Sequence, residues 1–262
     1  MSSATETARG PIERELRALG ASLTFLTRIP LGSLAEFDGD DVARSSLWFP
    51  LIGAGAGAAV GAVATGLAHS LTPLLAAALA VAVGTLLTGA MHIDGIGDTA
   101  DGLGARTRER SLEVMRESTV GAYGVVAIVL DLVVRVSVLD ELVVRHDAIV
   151  VAAMAGALSR MSPVILSSLL PYARAGAGLG QPFTRGGRTR AVIAVVMAVS
   201  IAIVLGANRG AVAVVAALCL TGVVGIFYQH WLSGVTGDML GAASEVVEVS
   251  VLVLMVALMG HA

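Results

Sequence analysis

Residues 45–93 read SSLWFPLIGAGAGAAVGAVATGLAHSLTPLLAAALAVAVGTLLTGAMHI, without a single Asp, Glu, Lys or Arg. An uncharged run of this length has one ordinary use, passage through lipid, where an ionised side chain at mid-depth costs about 3 kcal/mol or more. Residues 48–71 suffice for one crossing, because 24 residues at 1.5 Å give about 36 Å against a hydrocarbon core of about 30 Å. Their GAGAGAAVGAVATG centre places Gly and Ala where helix backbones approach closely. Residues 73–91 make the return.

Working outward, further apolar runs occupy 121–144, 149–170, 191–205, 211–231 and 246–259. The expected fold is therefore all-α, a polytopic integral membrane helix bundle of about seven transmembrane helices, in one catalytic domain over 1–262. The totals agree: 56 % of the 262 residues are hydrophobic and 14 % charged, where a soluble domain carries roughly a quarter charged residues. Mean hydropathy is +0.84. A net charge of −3 lacks the basic face that nucleic-acid binding needs. Cys219 is the single cysteine, so neither an intrachain disulfide nor a thiolate metal site is available. The start has no apolar core of a cleavable signal peptide. Residues 1–11 read as disordered. Residues 12–27 carry Ile12, Leu16, Leu19, Leu23 and Leu26 at helical spacing, an amphipathic helix on the membrane surface or against the bundle. The acidic stretch 36–41 reads as loop.

All seventeen basic residues are Arg, and their placement alternates. Arg9, Arg14, Arg17, Arg28 and Arg44 precede the first span; Arg106, Arg108, Arg110 and Arg116 follow the second; Arg174, Arg185, Arg188 and Arg190 follow the fourth. The intervening loops hold Arg145, beside three acids, and Arg209. The positive-inside rule puts the N-terminus and the exits of even-numbered spans in the cytoplasm.

Directly after the uncharged run comes HIDGIGDTADGLGAR, residues 92–106. Asp94, Asp98 and Asp101 are spaced four and three, so a helix presents them on one face. Carboxylates crowded in a half-dry place need a proton or a cation. Hard oxygen ligands suit Mg²⁺, with Mn²⁺ as an alternative, and such ions bridge carboxylates to phosphates. Arg106, Arg116 and Ser118 lie close by in sequence as candidate substrate contacts. A cation pathway is the rival reading, but it expects acids near mid-membrane. Within the spans, Asp131 and Arg135 share a helix face, as a structural pair or a substrate contact. Arg160 has no local acid; a phosphate or an aspartate is its expected counter-charge. Asp238 and Glu245, two helical turns apart before the last span, either join the site or begin a capped helix.

Two resemblances follow. Asp98-Thr-Ala-Asp101-Gly102-Leu-Gly-Ala105-Arg106 is similar to the first half of the CDP-alcohol phosphotransferase signature, whose second half is missing. The fuller match is to the cobalamin synthase family, the adenosylcobinamide-GDP ribazoletransferases. It is carried in order by Phe25-Leu-Thr-Arg-Ile-Pro30, Phe49-Pro-Leu-Ile-Gly53, the His92–Gly102 stretch, Met115-Arg-Glu-Ser118 with Gly121, and Thr236-Gly-Asp-Met-Leu-Gly-Ala242. The resemblance implies a multi-pass inner-membrane enzyme with its site on the cytoplasmic side. Its substrates would be adenosylcobinamide-GDP and α-ribazole or its 5′-phosphate, and GMP would be released by metal-assisted phosphoryl transfer. Asp94, Asp98 and Asp101 would hold Mg²⁺; Arg106, Arg116, Ser118, Arg160 and Glu245 would contact substrate; His92 or Asp238 would act as base. A CDP-alcohol-type lipid phosphotransferase and a cation-coupled transporter are the alternatives, and the small residues of the first span are compatible with a homo-oligomer. The topology makes a checkable statement: a Thr107→Cys variant is expected to resist thiol labelling from the periplasm, and labelling from that side overturns the arginine-based orientation.

Overall fold

The computed structural model of the protein describes residues 10–30, 37–174, 183 and 187–260. The expected disorder at 1–11 falls almost wholly outside them. Ten α-helices follow one another among the described residues: α1 (Pro11–Leu26), α2 (Gly39–Ser45), α3 (Phe49–Leu67), α4 (Pro73–Thr88), α5 (Met91–Leu103), α6 (Arg108–Val114), α7 (Ala122–Val144), α8 (Ala148–Leu169), α9 (Arg188–Leu232) and α10 (Gly237–Met259). Proline opens α1, α3 and α4 within their first two positions, where the missing N–H would be unpaired anyway.

The bundle is built around α8, whose residues from Val151 to Val164 are all buried. Its tightest neighbour is α3, and the reason is legible in both sequences. Gly53, Gly57 and Gly61 recur at every fourth position and face Gly156, Ala152 and Ala148, which recur at the same interval in the opposite direction. At each level a Cβ on the α3 glycine would overlap an α8 carbonyl. The small residues of the first span thus serve packing within the chain. Inside α8, Pro163 removes the N–H that would bond the Ser159 carbonyl, and the Ser162 hydroxyl donates to that carbonyl instead, at 2.8 Å.

Among the described residues, five helical segments are long and apolar enough to cross a membrane: Asp41–Leu67, Ala122–Val144, Ala148–Leu169, Arg188–Leu232 and Gly237–Met259. A sixth is added if α4 and α5, bent by 89°, count as one broken span. The runs expected at 191–205 and 211–231 both lie in the 45-residue α9, as two legs on either side of a break at Ala207 (φ 46°, ψ −122°). The chain folds back there, since Gly210 packs against the Ala202 carbonyl, eight residues earlier, a contact no straight helix permits. α10 begins nine residues before the expected 246, at Gly237, because Thr236 caps it by accepting from the Met239 N–H. One helix also replaces expected loop. The stretch read as loop at 36–41 enters α2, where Asp38 and Asp41 each accept the other's backbone N–H and Arg17 pairs with Asp41 at 2.6 Å. α1 buries Ala18, Ala21 and Ser22 against the bundle and leaves Ile12 and Leu16 exposed. It is an amphipathic helix, as its periodicity predicts.

Gly57→Ala is expected to force α3 from α8 and lower stability by about 1–3 kcal/mol in detergent unfolding. Gly55→Ala, where a Cβ meets nothing within 4 Å, is expected to gain up to about 1 kcal/mol from helix propensity. Equal effects at the two positions would refute the packing assigned to this face.

Candidate active site

Gly89 (φ 63°) and Ala90 (φ 59°) are both left-handed, and this pair of residues turns α5 sharply away from α4. Glycine supplies the first conformation freely; alanine adopts the second at a cost of about 1–2 kcal/mol. The Arg28 side chain packs over Gly89, and the Arg28 N–H bonds the Leu87 carbonyl at 2.7 Å, so the end of α1 braces the turn. The helix that results places Asp94, Asp98 and Asp101 on one face, as their spacing requires. The glycines between them face neighbouring helices. A Cβ at Gly95 would lie 2.7 Å from the Asp238 carbonyl on α10, and one at Gly97 would lie 2.9 Å from Ile128 on α7. α5 is therefore a wedge between α7 and α10, and the wedge brings Asp238 to the aspartate face.

The four aspartates differ in what they touch. Asp101 accepts from the Gly121 N–H at 2.6 Å and the Gly124 N–H at 2.9 Å, closing the N-terminus of α7. The expectation of Asp101 as a plain metal ligand is thus amended: its first partners are backbone donors. Asp238 accepts from Arg174 at 2.7 Å. Asp94 is exposed and Asp98 half-buried, and both carboxylates lack hydrogen bonds among the described residues. Asp94, Asp238 and Asp101 crowd the half-buried Asp98 with like charge, and a cation would relieve that repulsion. No three acidic, imidazole or thiol side chains among the described residues gather closely enough to enclose a metal unaided. That donor set fits Mg²⁺ nevertheless, because this ion is commonly held by one or two carboxylates together with substrate phosphates.

Arg174 is the residue that sequence reasoning missed; it entered only as a topology marker. A single parallel bridge between Tyr172 and Val235 joins the segment after α8 to the α9–α10 turn, with Ala173 N–H to Val235 and Val235 N–H to Pro171 both at 2.9 Å. Arg108 clasps the same junction by donating to the Leu232 and Ala173 carbonyls. Nothing in spacing announces this pairing. Arg110 is spent on Glu113 and Glu117 at the surface. Arg106, Arg116 and Ser118 are exposed around the same end of α5.

Two expected substrate contacts lie deeper. Arg160 on α8 pairs with Glu248 and its neighbour Ser159, so its counter-charge is a glutamate of the last helix and not a phosphate or an aspartate. Glu245 turns from the aspartate face to Arg135 on α7, which also binds Asp131 at 2.8 Å and Glu248 at 2.6 Å. The Asp131–Arg135 pair is thus part of a network joining α7, α8 and α10. His92, the other expected base, is buried at the start of α5, and its Nδ1 has no partner. It borders a chamber of about 130 Å³ that reaches Asp94 and Asp238.

A family model described as Cobalamin-5-phosphate synthase matches residues 18–256. Three relatives named adenosylcobinamide-GDP ribazoletransferase come from Syntrophobacter fumaroxidans, Ralstonia nicotianae and Klebsiella pneumoniae. The first is 35 % identical over 237 residues, 89 % of this chain and 95 % of its own length. The second is 35 % identical over 247 residues, 92 % and 95 %, and the third 36 % over 243 residues, 89 % and 96 %. No solved structure matches.

Three carboxylates face two guanidiniums in the deep network, so removing a cation and removing an anion are expected to differ. Arg135→Leu strands Asp131 and Glu245, leaving Glu248 to Arg160 alone, and is expected to cost about 3–5 kcal/mol. Glu245→Gln keeps a hydrogen-bond acceptor and removes the surplus charge, at a cost within about 1 kcal/mol. Unfolding in mixed micelles measures both, and equal losses would contradict this charge count.

Proposed function

The chain belongs to the cobalamin-5-phosphate synthase family, and from that premise we propose that it is an adenosylcobinamide-GDP ribazoletransferase acting by metal-assisted phosphoryl transfer. The match from 18 to 256 supports the substrates. The observation that carries the mechanism is the pair of unpartnered carboxylates, Asp94 and Asp98, on one face of α5, the helix whose C-terminal end leads to the exposed Arg106 and packs beside Met115, next to the exposed Arg116.

A ribose hydroxyl of α-ribazole, or of its 5′-phosphate, attacks the phosphorus next to the cobinamide. A new P–O bond forms there, the bond from that phosphorus to the bridging oxygen breaks, and GMP departs with that oxygen. Asp94 and Asp98 would hold a divalent cation, Mg²⁺ by their hard oxygen donors, and Asp101 fixes the helix that presents them. Bound there, the cation would supply charge neutralisation to the pyrophosphate and to the departing GMP. Arg106 and Arg116 take the remaining phosphate charge, being cations that no acid in the described residues has claimed. The hydroxyl's proton passes to His92 or Asp238, which both border the chamber beside Asp94. Arg174 holds Asp238 in place. Such a transfer needs positioning and charge neutralisation more than covalent catalysis. The site faces the cytoplasm across an inner membrane, a reading supported by the arginine alternation.

Purified protein in detergent, given Mg²⁺, adenosylcobinamide-GDP and α-ribazole, is expected to release GMP; no release from folded protein overturns the proposal. Asp98→Asn is expected to lower the rate by about a hundredfold or more with folding intact, and chelation by EDTA to stop turnover until Mg²⁺ is restored. Near-normal rates in Asp98→Asn would remove Asp98 from the metal site.

A further inference from the structure

The chamber beside Asp94 has an unusual lining. The rings of Phe25, Phe49 and Phe183 cluster in it: Phe25 and Phe49 are parallel with centroids 5.7 Å apart, and Phe183 stands at 59° and 62° to them, at 4.8 and 5.2 Å. The same lining includes Asp94, Asp238 and His92, whose Nδ1 is buried without a partner among the described residues. The three phenylalanines come from the end of α1, the start of α3 and the segment before α9. Between them Met91, Val164 and Leu240 complete an apolar wall. Its hydroxyls are largely committed, since Ser167 donates to Val164 and Ser244 to Leu240 in their own helices.

We infer that this chamber receives the benzimidazole base of α-ribazole, and that Phe25 and Phe49 choose it. The inference rests on the proposed transferase activity for the identity of the substrate. Two flat bases reach such a site, guanine on the donor and benzimidazole on the acceptor. Guanine carries polar atoms around most of its edge, and an apolar wall would leave them unpaired, which is costly. Benzimidazole offers a hydrocarbon edge and one free ring nitrogen. A chamber with three phenyl rings and one unpartnered imidazole nitrogen matches that distribution: ring faces for the hydrocarbon, the His92 N–H for the nitrogen. A base seated there sets its ribose toward Asp94 and Asp238 in the same lining. That is where the attacking hydroxyl is needed. Phe25 and Phe49 are on this account specificity-determining residues for the acceptor.

The test uses Phe25→Leu and Phe49→Leu, which keep apolar volume and lose the ring. KM for α-ribazole is expected to rise about tenfold, while KM for adenosylcobinamide-GDP and kcat stay within about twofold. A rise confined to adenosylcobinamide-GDP would seat guanine in the chamber and overturn the inference, and unchanged constants for both substrates would overturn it as well. Direct titration with α-ribazole by calorimetry separates this result from failure of the transferase reading. If the wild type releases no GMP yet binds α-ribazole, and the Leu variants bind about tenfold more weakly, the chamber stands without the reaction; no binding by folded wild-type protein removes the chamber.

Discussion

Two guanidiniums and three carboxylates share the interior of this bundle, and the rest of the site is hung from them. Arg135 on α7 reaches Asp131 on its own helix and Glu245 and Glu248 on α10, while Arg160 on α8 reaches Glu248 as well. Charges at such depth persist only when paired. A guanidinium has a rigid fork of donors, so each pairing fixes direction as well as distance. The consequence is a fixed rotation of α10 against α7 and α8. Glu245 and Glu248 point inward together only if Asp238, at the head of the same helix, points to α5. α5 then enters between α7 and α10 with glycine at both contacts, Gly95 and Gly97.

Two charged layers result, and they differ in completeness. The inner one is satisfied by its own members. The outer one is left open: Asp94 and Asp98 without hydrogen bonds, Arg106 and Arg116 exposed. A site that binds pyrophosphate with a cation has to withhold its charges from one another, because a pre-formed Asp–Arg pair would have to be broken before ligand could bind. Here Arg108, Arg110 and Arg174 have other partners, and Asp94 and Asp98 accept a hydrogen bond from none of them, which suits the proposed pyrophosphate site.

Much of this was legible in the residues, unevenly. The all-α membrane class followed from the uncharged run, and the one-faced aspartates from their spacing, since both depend on periodicities that a helix imposes. The α3–α8 contact was half visible: the glycines of 53–61 foretold a close neighbour but not which one. What could not be read was pairing across the chain. Arg160 looks unpaired because its partner lies 88 residues on, and Arg174 looks like a topology marker because its contact with Asp238 depends on a single bridge at Tyr172 and Val235. Asp101 has a second role that spacing does not show. Its spacing matches a ligand set, but the N-terminus of α7 competes for the same oxygens.

That competition bears on how the phosphates are held. A helix N-terminus with free N–H groups is a ready anion site, and α7 starts beside the aspartate face with glycine at both Gly121 and Gly124. Asp101 fills it, bonding both N–H groups. In the proposed transfer a phosphate would meet a carboxylate at this helix end, so its charge would fall to a cation held by Asp94 and Asp98 and to Arg106 and Arg116. Each Asp101 oxygen retains a further lone pair, so it is able to approach the cation from the α7 side while still closing the helix. In the proposed site the four-and-three spacing thus serves two ends at once: the first two aspartates are left open for a ligand, and the third anchors the wedge that presents them.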